Sequence, residues 1–299
     1  MKKQLLIIGS AKAATSSLHH WLGEQPGFAR ARRKEPRFYC DVGGRDWTGP
    51  HADLYRDRWI GDRAAYEANF EGLTDETWAL DGSTDYLWFP GAFEAIARSR
   101  GRTETKLVAV VRDPIDRAVS EYNHTLRDEL ETESFARSVE LEPERRAAGW
   151  HPLFYHRRRS TIADDLARYR EAFGDDLLIL DYADLRCPDA VVRRICAFVG
   201  TPYRETEEWA TRNESRLPRS ATYVALSRVR SLRAVWKAML PKALRRKVRE
   251  TMTVSSRAVE TVSEAEKAAF RATMRDEIDR CLRADWIPTE NWRTALATS

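Results

Sequence analysis

The sequence predicts an α/β fold, a central parallel sheet flanked by helices in three layers. Two observations carry that expectation. Residues 5–8, 78–81, 106–111 and 177–181 are short apolar runs of strand length, as strands covered on both faces must be. Segments between and after them place apolar residues three and four apart, the spacing of helices packed by one face. The chain has 299 residues and no Pro/Gly/Ser-rich linker, so a single domain over 1–299 is expected, with a core at 4–200 and a helical, basic region at 201–299.

Composition narrows the class further. Hydrophobic residues make up 42%, enough for a large core, while 32% charged residues point to a soluble protein. No run reaches membrane-span length, and the first strand starts too early to leave room for a signal peptide, which predicts a cytoplasmic location. A net charge of +4 suits an anionic ligand but lacks the basic density of a nucleic-acid binder. Cys40, Cys187, Cys196 and Cys281 are scattered and show no metal-ligand spacing.

The first element organises the rest. After the strand at 5–8, Gly9 to Ala14 form a tight loop, and a helix starts at Thr15 with Leu18, Trp21 and Leu22 on one face. Loop amides and the first helical turn aim unpaired N–H groups at one spot, where the helix dipole also favours an anion; Lys12 adds a full charge. The loop is P-loop-like but departs from G-x-x-x-x-G-K-[ST], because the lysine stands only three residues after Gly9.

Gln25, Pro26 and Gly27 stop the helix, and a basic run from Arg30 to Lys34 leads into Glu35, Pro36, Arg37, Phe38 and Tyr39. Loops at the carboxyl ends of strands surround the ligand crevice of an open α/β sheet, so this segment is expected there. Residues 41–78 carry Trp47, Tyr55, Trp59, Tyr66 and Phe70 at irregular spacing and read as loops with a short helix. The strand at 78–81 runs into Gly82 to Tyr86, and a short helix bears Phe93 and Ile96.

The strand at 106–111 delivers Arg112 to its carboxyl end. Asp113 then caps a helix with Pro114 at its first position, and Ile115, Val119, Tyr122 and Leu126 mark the expected buried face. Ser120 lies eight residues after Arg112, so a strand-end guanidinium and a helix hydroxyl can close on one phosphate. An acidic stretch follows at 129–144. Ser160 is expected to cap a helix with Ile162, Leu166, Tyr169 and Phe173 inward and Gly174 at its end; Pro188 opens another that ends at Gly200. Residues 211–220 read as a loop, residues 228–249 as a basic helical segment, and Ser263 with Glu266 as a capping box for a helix bearing Phe270, Met274, Ile278 and Leu282.

Three stretches resemble sulfotransferases that use 3′-phosphoadenosine 5′-phosphosulfate (PAPS). Lys12 to Leu18 resembles their K-x-G-T-T-x-L loop, with Ala14 for glycine and Ser16 for threonine. Lys34 to Tyr39 resembles the K-E-x-H-F-F stretch of the heparan-sulfate type, with Arg37 for histidine. Arg112 to Tyr122 resembles R-[DN]-P-x-x-R-x-x-S-x-Y. The resemblance implies that Ser10, Ala11, Lys12, Ala13, Ala14, Thr15, Ser16 and Ser17 hold the phosphosulfate of PAPS, that Arg112 and Ser120 hold its 3′-phosphate, and that Arg219 on a late basic loop closes the site. It implies Glu35 as general base and Lys12 as the charge that offsets the leaving oxygen. Lys34, Arg37, Asp85 and Tyr86 would face the acceptor, a small-molecule or glycan hydroxyl, less readily an amine. The product nucleotide would be 3′-phosphoadenosine 5′-phosphate (PAP), with no metal, no nucleic acid and no stable membrane insertion. Two rivals are a P-loop kinase or NTPase with Asp181 as its magnesium acid, and a non-catalytic nucleotide- or RNA-binding protein. The missing G-K-[ST] and the absence of an RNA-binding motif weigh against them.

Overall fold

A computed structural model describes residues 1–42, 45–56, 59–206, 209, 216–218, 253–255 and 261–297. Strands β1 (Lys3–Gly9), β2 (Phe28–Arg30), β3 (Trp78–Asp81), β4 (Glu104–Val111) and β5 (Leu177–Asp181) form one parallel five-stranded sheet in the order β2-β3-β1-β4-β5. The predicted α/β class is therefore what the chain adopts. Its central strands are buried beyond their first residues, apart from the half-buried Lys106, because helices cover both faces.

One face is packed by α1 (Thr15–Gly23) and α9 (Pro188–Val199): Leu18, Trp21, Leu22, Val191, Val192 and Ile195 meet Leu5, Ile7, Val108 and Val110. The other face, reached by the alternate residues Leu6, Ile8, Leu107, Ala109 and Val111, is packed by α4 (Ala92–Ser99), α5 (Pro114–Arg127) and α8 (Ala163–Phe173). Between them in sequence lie the short helices α2 (Ala52–Arg56), α3 (Arg63–Ala68), α6 (Phe135–Glu140) and α7 (Glu142–Ala147). A two-stranded antiparallel pair, β6 (Arg216–Pro218) with β7 (Thr253–Ser255), precedes α10 (Glu264–Thr273) and α11 (Arg275–Arg283). Among the described residues no helix is long and apolar enough to cross a membrane.

Several local expectations are corrected. Arg30 belongs to the edge strand β2, which pairs with β3; three residues ending in arginine are too short and too polar to show alternation. Residues 41–78 hold two short helices instead of one, and the acidic stretch folds as α6 and α7. Ser160 does not cap α8. Its hydroxyl accepts from Arg117 Nε at 2.7 Å, and the amides of Ile162 and Ala163 donate to Glu277 Oε1 at 2.6 and 2.8 Å, so the cap comes from a helix far away in sequence. The Ser263–Glu266 capping box forms as expected. The helix it starts breaks at Met274, however, and Leu282 is exposed.

On α5 the polar residues Arg117 and Glu121 are buried alongside Ile115, Ala118 and Tyr122, whereas Val119 and Leu126 sit at the edge of the core. Arg219 and the basic segment 228–249 lie outside the described residues.

Candidate active site

Because β1 and β4 are neighbours in a parallel sheet, the loops that leave their carboxyl ends emerge side by side. Two hydrogen bonds join them: Ser10 N donates to Val110 O at 2.8 Å, and an Arg112 guanidinium nitrogen donates to Lys12 O at 2.6 Å. The two segments singled out in the sequence thus lie against each other. Gly9 is required there by close approach, since a Cβ would fall 2.8 Å from Leu87 Cδ2.

The loop itself is strained. Lys12 has φ 69° and Ala14 φ 55°, left-handed values that cost a non-glycine residue about 1–2 kcal/mol each. That geometry accounts for the glycine that similar loops carry at the position of Ala14. It also turns the loop into the concave arrangement of amides that binds anions. Ala14 gives α1 no side-chain cap and the first turn holds no acidic residue, so the positive end of the helix dipole faces the loop, while Ser17 N donates to Ala14 O at 2.9 Å. Thr15 and Ser17 are buried in that turn and Ser16 is half-buried.

Charge accumulates around the loop. Burial, with the positive charges of Arg127 and Arg112, lowers the Lys12 ammonium from its ordinary 10.5 to about 8. Burial likewise pulls the Arg112 guanidinium below its ordinary value, and its cation stands 4.6 Å from the Tyr182 ring centroid. Ser10 Oγ and Arg112 Nε are buried without a hydrogen-bond partner among the described residues. Cations crowded against each other beside unanswered polar atoms fit an anion with several oxygens.

Ser120 is half-buried on α5, and the same helical stripe carries His124 and Arg127 one and two turns further on. Both sense Lys12: Arg127 depresses the Lys12 pKa, and His124 is lowered by burial and, among the charges near it, by Lys12 and Arg127. Sequence reasoning missed these two residues. The signal that could have found them is their i+4 and i+7 spacing from Ser120.

Glu35 follows the edge strand and borders the same side of the sheet. Its neighbours in the chain hold it: Lys34 Nζ donates to Oε1 at 2.6 Å, and an Arg37 nitrogen lies 3.6 Å from Oε2. Glu35 (φ 59°) and Arg37 (φ 52°) both adopt left-handed backbone around Pro36. His19 is buried one turn into α1. It packs beside Gly82, lies 3.2 Å through Nε2 from Leu80 O, and falls to a pKa of about 4 through burial and then the charge of Lys34.

The other expected acceptor residues lie deeper. Asp85 and Tyr86 are 1% and 0% exposed. Asp85 accepts from Arg37 Nε at 2.6 Å, Tyr55 OH at 2.7 Å, Trp88 Nε1 at 3.1 Å and Arg159 at 3.0 Å, while Tyr86 OH donates to Asp81 Oδ2 at 2.7 Å. Arg37 is buried with them. These three side chains are buried and hydrogen-bonded in the interior, whereas Lys34 is partly exposed. Asp181, the acid of the kinase alternative, instead accepts from Ala183 N at 2.9 Å and Asn291 Nδ2 at 2.7 Å. Among the described residues no group of three His, Cys, Asp or Glu could hold a metal ion.

The family model for the sulfotransferase domain matches residues 93–289, a span that includes Arg112 and Ser120 and starts after the Lys12 loop and Glu35. A sulfotransferase from Alicyclobacillus acidocaldarius superposes over 98% of this chain and 99% of its own, with a TM-score of 0.72 and 25% identity. A mouse sulfotransferase complexed with PAP is a more distant likeness, at TM-score 0.38 and 19% identity over 69% of this chain and 61% of that one. No curated protein matches the sequence. The chain belongs to the sulfotransferase family.

Proposed function

We propose that this sulfotransferase takes its sulfuryl group from PAPS and delivers it to a hydroxyl of a small-molecule or glycan acceptor. One observation carries the donor assignment: Arg112 from the end of β4 hydrogen-bonds the backbone of the Lys12 loop, so the two anion-binding segments share one site. PAPS has two anionic ends, a 5′-phosphosulfate and a 3′-phosphate. The loop from Ser10 to Ala14 and the first turn of α1, Thr15 to Ser17, receive the first. Arg112 and Ser120 hold the second, with Arg127, itself paired with Asp128, adding charge near Lys12.

Lys12 and the helix dipole stabilise the negative charge that grows on the bridging oxygen as the sulfur–oxygen bond breaks. Glu35 accepts the proton of the acceptor hydroxyl as its oxygen bonds to sulfur, and PAP leaves. Lys34 steadies Glu35 and offers the acceptor a cation. No divalent metal is required in this reading, since Lys12, Arg112, Arg127 and the helix dipole supply the positive field. The reading implies an intracellular source of donor, consistent with a cytoplasmic enzyme.

The test is incubation of the protein with PAPS and a cell metabolite extract, followed by mass spectrometry. New products heavier by one sulfuryl group, formed together with PAP, are expected. Failure to form PAP above the rate of spontaneous hydrolysis overturns the donor assignment.

A further inference from the structure

Between the segment that carries Glu35 and the helix that carries Ser120 runs an unbroken series of ion pairs. Glu35 faces Arg37; Arg37 Nε donates to Asp85 Oδ2 at 2.6 Å; Asp85 Oδ1 accepts from Arg159 at 3.0 Å. The other arm of Arg159 donates to Glu121 Oε1, and Glu121 Oε2 accepts from Arg117 at 2.9 Å. From Arg37 to Arg117 every member is under a tenth exposed. Glu121 is the residue next to Ser120.

Such a series is a poor stabiliser. Removing each ion from water costs several kcal/mol, and replacing a buried ion pair by apolar groups of similar volume is often neutral or favourable. Its geometry is nonetheless demanding. The Arg37 guanidinium is also fixed by Tyr55, whose carbonyl accepts a hydrogen bond at 3.0 Å and whose ring lies 4.0 Å from the cation. Burial alone would raise the Asp85 carboxyl, but Arg37 and Arg159 together hold it below its ordinary range. Each carboxylate in the middle answers two cations, and Arg159 answers two carboxylates. Only a forked, planar guanidinium can do that at fixed distances.

We infer that Arg159 is a positioning residue for the reaction: bridging Asp85 and Glu121, it locks Arg37 under Glu35 and ties the acceptor-side carboxylate to the helix of the 3′-phosphate serine. This rests on the donor reading above. Arg159 touches neither substrate; its effect passes through Asp85 and Arg37.

The test is amide hydrogen exchange read by mass spectrometry on the intact protein and on Arg159→Lys, with and without PAP, after calorimetry has measured PAP affinity for both. In the wild type PAP should slow exchange in two segments, residues 10–18 and residues 34–39. In Arg159→Lys affinity should stay within about twofold, because the change is remote from the ligand. Protection of 10–18 should persist, while the PAP-dependent protection of 34–39 falls by about tenfold or more. A protein in which the series is merely structural would lose protection at 34–39 equally with and without PAP, leaving the ligand-dependent part unchanged. That outcome, or a wild type whose 34–39 amides ignore PAP, overturns the inference. Calorimetry showing no PAP binding to the wild type overturns the donor reading itself, and is distinguished before exchange is measured. Should Arg159→Lys fail to fold by near-ultraviolet circular dichroism, Arg37→Lys cuts the same series one pair nearer Glu35 and is read in the same way.

Discussion

The proposed donor side and the proposed acceptor side leave neighbouring strand ends and are held in different ways. The donor side, at β1 and β4, is built from main chain: a left-handed loop, an uncapped helix start and an arginine that binds a loop carbonyl. The acceptor side, at β2 and β3, is built from side chains, with Glu35 steadied by Lys34 and Arg37 and Arg37 anchored on Asp85 in the interior. A main-chain anion site tolerates exchange of its side chains, since its amides remain. A carboxylate held by a buried guanidinium does not. The two sides should therefore fail separately, in different observables.

The largest separation is expected from Glu35→Gln, which keeps the shape of the residue and removes the base. Turnover should fall by about 10²–10⁴-fold while PAP affinity remains near that of the wild type. Initial rates of PAP release, paired with calorimetry, measure both. If turnover survives, Glu35 only pairs with Lys34 and Arg37 on the surface. His151 would offer little relief as a substitute base: it is buried, lies 2.7 Å through Nε2 from Pro50 O, and is depressed by burial.

The converse effect belongs to Arg112→Ala. Charge-assisted hydrogen bonds to phosphate contribute about 1.5–3 kcal/mol each, so PAP should bind at least about tenfold more weakly. AMP, which lacks the 3′-phosphate, should lose much less. Comparable losses for the two nucleotides in a calorimetric titration would mean that Arg112 acts mainly by holding the Lys12 loop, and would merge the roles of the two phosphate sites.

The same contrast explains what could be read in advance. Local main-chain features leave marks in sequence: apolar strand runs, Gly9 before the loop, Asp113-Pro114 at a helix start, and the eight-residue step from Arg112 to Ser120. The first three took the predicted local structure. Asp85 and Arg37 could not be placed, because their fate depends on Arg159 and Tyr55, which are distant in sequence and carry no spacing signal. Ser160 misled for a related reason. A serine before an apolar-periodic run is the usual mark of an N-cap, but here Glu277 from α11 satisfies the α8 amides and frees Ser160 to hold Arg117. His124 and Arg127 follow Ser120 at i+4 and i+7, a polar spacing that the apolar face of α5 does not reveal.

At neutral pH the smallest effect belongs to Lys12, and it sharpens the comparison by adding a pH dependence to the proposed donor side. Lys12 is lowered to about 8 by burial and by its cationic neighbours, and a bound polyanion favours the protonated ammonium. Below about pH 8 Lys12 already carries its proton, and PAP affinity should not depend on this group. Above it, binding must take up a proton, so affinity should fall by up to about tenfold per pH unit. Stability without ligand has the opposite sign. Between about 8 and the ordinary 10.5, the unfolded chain holds more protons at Lys12 than the folded one. This group's destabilising contribution is therefore fully present below about pH 8 and fades as pH rises towards 10.5. Lys12→Arg keeps the charge without a titration in this range, so its PAP affinity should stay flat where that of the wild type declines. Calorimetric titrations from pH 7 to 10 on both proteins provide the check. A wild-type curve as flat as that of Lys12→Arg would place Lys12 outside the donor site, whereas a matching decline in both would assign the titration to another group.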